Sequence, residues 1–422
     1  MKILAGRLWR HSNFLKLWTA ESTSVFGITI STVALPLTAI LTLNASAGEM
    51  GILKALHHTP VLLFGLFIGV WIDRVKRYPL MITAEFGQGI LVATIPVAAI
   101  LGVLRIELLY LVNFFSGTLS AIYILASLSF LPSIVDREDL IEANSKLSAG
   151  RSVAKIAGPG LAGILVDVFT APFTVAFNAL SSLTAGVCLL FIRSSESVKV
   201  GTQKYQGVWG DIRDGLRTIF FHPILRTVTI GPAIASFGGA IHSTVYLLYL
   251  TRELLISPTW LGVIVGCAGV TALVGATLTA PAARRYKQGS LLIGAPLLQS
   301  IGLGLVPFTG ELDLWIIPIL IVGQIFFSVG VTVYSITQLS LRQVVTPDEL
   351  LGRVNASWRV FVGGVIPFGA MIGGVLGEII GLQLTLVVGA LVEFVSFVFH
   401  LCSPLRHLTD FQPGTKSTDC ND

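Results

Sequence analysis

Glu21, His57, His58, Glu85, Lys155, His242 and Glu393 all stand inside long apolar runs of this sequence. In hydrocarbon an ionisable side chain costs about 2.5–3.5 kcal/mol to insert, so each needs a partner, a wet cavity or a proton to carry. Lys155 follows Arg151 by one helical turn, and Glu21 and Glu85 fall in the same half of the membrane. A buried Lys155–Glu21 or Lys155–Glu85 pair would relieve both charges. Such a pair would carry a proton or simply hold helices together; a third reading has Lys155 reaching back to the membrane surface. Glu21, Glu85 and Lys155 are therefore the candidate coupling residues. Glu393 reads as a structural or lipid-adjacent neutral acid, with a transport role as the alternative, and His57 and His58 as hydrogen-bonded packing histidines, although imidazoles titrate near physiological pH.

Polar residues recur at helical spacing in four of the apolar runs. They are Glu21, Ser24 and Ser31; Asn113, Ser116, Ser120, Tyr123 and Ser127; His242, Tyr246 and Tyr249; and Gln324, Ser328, Thr332, Ser335 and Gln338. Aromatic residues such as Phe237, Tyr246, Phe326 and Phe327 lie beside them. A cavity lined this way suits an amphipathic organic molecule better than a sugar phosphate, which would call for paired arginines. Ser24, Ser31, Asn113, Ser120, Tyr123, His242, Tyr246, Tyr249, Gln324 and Ser328 form the candidate lining.

These residues can meet only if the apolar runs are membrane helices. Of the 422 residues 53% are hydrophobic and only 12% charged, with a mean hydropathy of +0.82. A bilayer span takes about 20 apolar residues, and breaks in hydropathy place twelve spans near 14–42, 49–72, 80–102, 107–132, 146–168, 172–192, 225–250, 259–283, 290–309, 314–341, 357–380 and 382–403. The chain thus reads as an all-α polytopic membrane protein. Cys188, Cys267, Cys402 and Cys420 are far apart and offer neither a disulfide framework nor a zinc site. No cofactor is expected, and the pI of about 9.1 reflects loop charge, not nucleic acid as a partner.

With both termini placed in the cytoplasm, every Lys and Arg but Lys54, Arg105, Lys155 and Arg252 falls at the cytoplasmic side. That agrees with the positive-inside rule. The basic start before the first span carries no cleavage site and reads as a cytoplasmic lead-in, not a signal peptide. Residues 1–193 are expected to form one six-helix bundle, 194–224 a cytoplasmic linker, 225–403 a second bundle and 404–422 a cytoplasmic tail. In the linker Trp209, Ile212, Leu216, Ile219 and Phe220 share one helical face opposite Asp211, Arg213, Asp214 and Arg217. This predicts a helix lying along the inner membrane surface.

The two halves look duplicated. Val135 to Asn144 matches Val345 to Asn355 with one extra residue, about 210 residues apart, each leading into a Gly/Pro-bearing helix. Such repeats commonly place a substrate site between them near the bilayer midplane. Between the second and third spans sits a charged turn bearing Gly69, Asp73, Arg74, Lys76 and Arg77. Gly69 permits close helix approach, and Asp73 could hold a facing helix start or a base, with Arg353 and Arg359 as candidate partners. Gly69, Asp73, Arg74, Arg77, Arg353 and Arg359 are the candidate gating set; the plainer reading is that the bases only fix topology.

The turn resembles the signature loop of the major facilitator superfamily: Gly69, Asp73, Arg74 and Arg77 match, while Lys76 replaces a glycine. The equivalent turn from Gly275 to Arg285 keeps Arg284 and Arg285 but has Thr279 for the acid. Within that superfamily the chain resembles the drug-exporter branch of macrolide efflux proteins and enterobactin exporters, on Ala34 to Leu37, Leu63 to Phe67, Leu131-Pro132, Glu142 to Lys146 and Ala157 to Pro159. The resemblance implies twelve helices in two pseudo-symmetric six-helix bundles, with the four polar stripes on the helices that line the cavity. Gly158, Pro159 and Gly160 resemble the antiporter motif, which implies export. Proton-coupled exporters usually carry an arginine where this chain has Asn113, so coupling does not carry over directly.

The reading is an alternating-access exporter of an amphipathic, drug-like or macrolide-like compound from the cytoplasmic membrane, with the proton as coupling ion, lipid as surroundings and a monomer as the working unit. A siderophore exporter of the enterobactin type, a lysophospholipid translocase and a transporter-like sensor or scaffold remain as alternatives. No metalloprotease, phosphate-loop or nucleophile-elbow motif occurs, which argues against an enzyme.

Overall fold

The computed structural model describes residues 7–72, 75–192, 208–311 and 313–407. Among them the regular structure is helical throughout, with no strand. The first half holds α1 (Ser12–Leu37), α2 (Ala47–Ile72), α3 (Arg77–Ile100), α4 (Ile106–Phe130), α5 (Leu140–Phe169) and α6 (Ala171–Leu190). An intervening helix, α7 (Val208–Phe221), leads to α8 (Pro223–Arg252), α9 (Pro258–Arg285), α10 (Gln288–Leu305), α11 (Ile316–Val345), α12 (Asp348–Gly364), α13 (Ile366–Ile379) and α14 (Leu382–Leu401). Eleven described segments are long and apolar enough to cross a membrane, with α12 and α13 counted as one; the 26-residue α2 makes the twelfth.

Two expectations shift in detail. The span predicted over 357–380 begins at Asp348 and breaks at Val365. Pro367 sits in the first turn of α13 and has no N–H to bond back to Gly363, so the helix stops and restarts there. The first span ends in a wide π turn over Thr38–Thr42, just beyond Pro36.

The helices pair in the same way in both halves. In the first, α1 packs on α5 and α6, α3 on α4 and α6, and α2 on α4. In the second, α8 packs on α13 and α14, α10 on α11 and α14, and α9 on α11. The halves themselves meet chiefly along α5 with α9 and α2 with α13. Two small-residue seams make this possible. A methyl added at Gly51 would lie 2.7 Å from Ala370 O, and one at Gly262 would lie 2.5 Å from Pro159 O, so only glycine lets the backbones approach.

The molecule has two ends. The basic end carries the turn at residues 75–76 and α7; the far end carries the turns at 43–46 and 253–257. At the far end one apolar core runs through both halves, joining Val92, Ile95, Leu109 and Val175 to Val245, Leu248 and Leu261. Toward the basic end the described apolar cores are separate: Phe14, Met81 and Phe130 in the first half, Val228, Leu292 and Leu341 in the second. The halves are closed on each other at the far end.

The linker helix, expected along the inner membrane surface, also packs against the second half. Ile219 is fully buried, Phe220 meets Phe361 edge-on at 5.7 Å, and Asp214 accepts from Arg353 at 3.4 Å. Helix α7 therefore docks on α12 through the described part of its apolar face. Trp209, Asp211 and Ile212 have no described side chains.

Candidate functional site

A cavity of 540 Å³ lies against the second half. Its wall comes from α8 (Ser236, His242, Ser243, Tyr246), α10 (Gln299), α11 (Gln324, Phe327, Tyr334, Ser335, Gln338), the α12 residue Trp358 and α14 (Glu393, His400). Among the described residues of the first half, Lys54 and His58, both on α2, reach it. Lys54 Nζ donates to Ser243 Oγ, which makes this lysine a bridge between the halves.

The floor of the cavity is a hydrogen-bonded set. His400 pairs through Nε2 with Tyr334 OH at 2.8 Å and through Nδ1 with Ser396 O at 2.7 Å, while Ser396 Oγ donates to Gly231 O at 2.8 Å. The His400 ring occupies the space a side chain at Gly231 would need. Trp358 Nε1 donates to Val228 O at 2.9 Å, and the Arg342 guanidinium lies over the Trp358 ring at 4.3 Å. Glu393 is 1% exposed, and its Oε1 has no hydrogen-bond partner. His242 is likewise buried and its Nε2 has no partner, with its ring stacked on Tyr246. The site thus offers one lysine, one carboxyl group, three imidazoles and an aromatic wall.

Of the lining expected from sequence, His242, Tyr246 and Gln324 are in place. Ser328 instead accepts from Gln324 Nε2 at 3.2 Å, and Tyr249 donates to Pro307 O at 3.3 Å. The first-half stripe is spent internally, away from the cavity. Ser24 Oγ donates to Glu85 Oε1 at 2.8 Å, and Asn113 Nδ2 donates to Leu53 O at 2.9 Å, tying α4 to α2. Ser31 and Tyr123 are buried with no hydrogen-bond partner for their hydroxyls, and Ser120 is half-buried.

The expected lysine pair is replaced by a different one. Arg151, not Lys155, bonds Glu21, and Lys155 is exposed. The two bases stand one turn apart along α5, and Arg151 is the one level with Glu21 of α1. Glu85 is 3% exposed, with its second oxygen unpartnered. Glu393, read from sequence as structural, lines the cavity instead. Gly389, Glu393, Ser396 and His400 fall at helical spacing on α14, a polar stripe that the sequence already contained.

Asp73 and Arg74 lie outside the described residues, and Gly69 lies in the last part of α2. Arg77 opens α3, Arg353 meets Asp214 on α7, and Arg359 is exposed. Gly158 and Pro159 are buried and Gly160 half-buried in an unbroken α5; Pro159 O faces Gly262 across the seam.

The description "transmembrane secretion effector" matches the chain over residues 8–417. The chain belongs to this family of major facilitator transporters. The enterobactin exporter EntS of Salmonella typhi is 24% identical over 405 residues, covering 91% of this chain and 94% of that one. Among solved structures, the nucleoside transporter NupG overlaps with a TM-score of 0.71 at 12% identity, covering 95% of this chain and all of that one. A bacterial homologue of the iron transporter ferroportin, 18% identical, gives 0.73 in its inward-facing state, over 94% of this chain and 99% of that one. In its outward-facing state it gives 0.60, over 92% and 98%. The chain is a multi-pass membrane transporter with the major facilitator fold, and not an enzyme.

Proposed function

We propose that this transporter exports an amphipathic organic compound from the cytoplasm or inner leaflet by alternating access. The observation that carries this reading is the 540 Å³ cavity, walled by Tyr246, Phe327, Tyr334 and Trp358 and dotted with Gln299, Gln324 and Gln338. Such a wall binds flat apolar surface and leaves a few hydrogen bonds to orient it. The Lys and Arg bias supports a cytoplasmic basic end, with both termini on that side and the far end outward. Closure at the far end then makes this the inward-facing form, ready to load substrate. The turn with Gly69, Asp73, Arg74 and Arg77, together with Arg353 and Arg359, forms the inner gate of the other state.

Proton antiport drives the cycle in this reading. Asn113, where coupled exporters usually carry a base, is tied to Leu53 O and takes no proton. The carriers are Glu85 and Glu393, two buried carboxyl groups each with an unpartnered oxygen. Glu21 is held by Arg151, and Lys155 serves at the surface of α5.

A second reading, export of a siderophore, has two supports. The relatives include enterobactin exporters, and Lys54 is a donor suited to an anionic or catechol oxygen. Efflux of dyes, macrolides and catecholate siderophores from expressing cells, with and without a protonophore, separates the readings. Protonophore-sensitive efflux of a neutral or cationic amphiphile supports the first, and of a catecholate the second. Absence of any efflux from correctly inserted protein rejects both.

A further inference from the structure

At the far end two carboxylates cross from one half to the other. Glu378, at the end of α13, accepts from Ser46 Oγ at 2.6 Å and from Gly48 N at 2.9 Å, at the start of α2. Asp167, at the end of α5, accepts from Thr259 N at 3.0 Å and from the Thr259 hydroxyl, at the start of α9. These are the same contact made twice. One shift of 211 residues carries 48 onto 259, 51 onto 262, 163 onto 374 and 167 onto 378. Gly51 and Gly374 are opposed in one seam and Gly163 and Gly262 in the other, so each carboxylate sits one turn above a glycine pair.

The chemistry of each contact is that of a helix N-cap supplied in trans. The first amides of a helix have no partner within it and carry the positive end of its dipole, so a carboxylate there is favoured. Here the carboxylate belongs to the opposite half. Neither helix can separate from its partner without exposing its first amides and freeing the acid. Ser46 also belongs to a local capping box, with Glu49 accepting from Ser46 N at 2.7 Å. That box fixes the Ser46 hydroxyl where it can donate to Glu378. Arg252 adds a third tie between the halves at this end, donating to Ala45 O at 2.8 Å.

We infer that Asp167 and Glu378 are the paired latches of the far-end gate, each capping the second span of the opposite half, and that this side opens only when both let go. The duplication makes the gate symmetric: a rocking motion about the pseudo-twofold axis strains the two caps equally. Loss of one carboxylate shifts the open-to-closed ratio on the order of fivefold, and loss of both shifts it by about the product.

The consequence for transport rests on the alternating-access reading, but the test does not. Native cysteines are replaced by serine, and spin labels are placed at Val103 and Leu314, exposed far-end positions in opposite halves. Distance distributions are recorded in lipid nanodiscs without substrate. The parent protein should give a predominantly short distance. Asp167→Ala and Glu378→Ala should each raise a longer component, and the double variant should make it prominent. The exchange variant Asp167→Glu with Glu378→Asp keeps both carboxylates and should stay short. Should the alanine double fold poorly, Asp167→Asn with Glu378→Gln gives the same sign with smaller amplitude. Distributions that overlay the parent in these variants overturn the inference, as does a shift confined to one latch. Lack of efflux by the parent would overturn the exporter reading while leaving the distance result to stand on its own.

Discussion

Lys54 of α2 donates a hydrogen bond to Ser243 of α8, so the lysine that lines the cavity also spans the seam between the halves. Under the proposed function, substrate recognition and the approach of the two bundles meet at one ammonium group, whose three N–H donors can serve Ser243 and a ligand oxygen together.

Replacing Lys54 should change which substrates move. Lys54→Gln keeps a donor but no charge, and transport of anionic amphiphiles should fall about tenfold while neutral ones change little. Lys54→Arg should retain the preference for anions. Parallel efflux assays with a matched anionic and neutral dye check this.

Glu393 is the sharper test of coupling. Glu393→Gln keeps the shape and removes the proton, so gradient-driven efflux should drop at least about tenfold while substrate exchange without a gradient persists. Glu85→Gln tests the first-half carboxyl group in the same way. If both variants pump at parental rates under a pH gradient, the proton uses another path.

The Arg151–Glu21 pair predicts a difference in stability between neighbouring bases. Arg151→Ala leaves Glu21 buried without its partner and should cost about 1–3 kcal/mol, the low side because Arg151 is 40% exposed. Lys155→Ala should be near neutral. Thermal unfolding in detergent distinguishes them, and equal midpoints would contradict the pairing.

Gly231 is predicted to reject even a methyl group. An added methyl at Gly231 would lie 2.6 Å from His400 Nε2, which must then leave Tyr334. Gly231→Ala should destabilise by about 1–3 kcal/mol through overpacking and deform the cavity floor. A lowered unfolding midpoint with weakened substrate binding is the expected outcome.

The fold was legible because hydropathy and charge act over whole spans. Twelve apolar runs with basic turns on alternate connections give the spans, the match of Val135–Asn144 with Val345–Asn355 points to duplication, and the packing into two bundles is what the family resemblance implies. Local chemistry moved the details: Pro367 breaks a helix that hydropathy reads as continuous, and the apolar face of α7 finds α12. The site was legible only where a stripe faces the cavity. His242, Tyr246 and Gln324 do, but Ser24 and Asn113 turn to Glu85 and Leu53 O instead, and periodicity alone does not say which neighbour a stripe will meet. Glu393 is visible in the sequence as a charge inside a span and Lys54 only as a base off the cytoplasmic side, and their meeting in one cavity depends on the contact between halves. The equivalence of Asp167 and Glu378 shows only when the repeat register aligns the two contacts.

The most direct test of the central claim is efflux from energised cells expressing the protein, measured across dyes, macrolides and catecholates with and without a protonophore. The account predicts energy-dependent efflux of one amphipathic class, abolished by protonophore and weakened by substitutions at His242, Gln324 and Glu393. Correctly inserted protein that binds such compounds in the cavity yet moves none of them would contradict it.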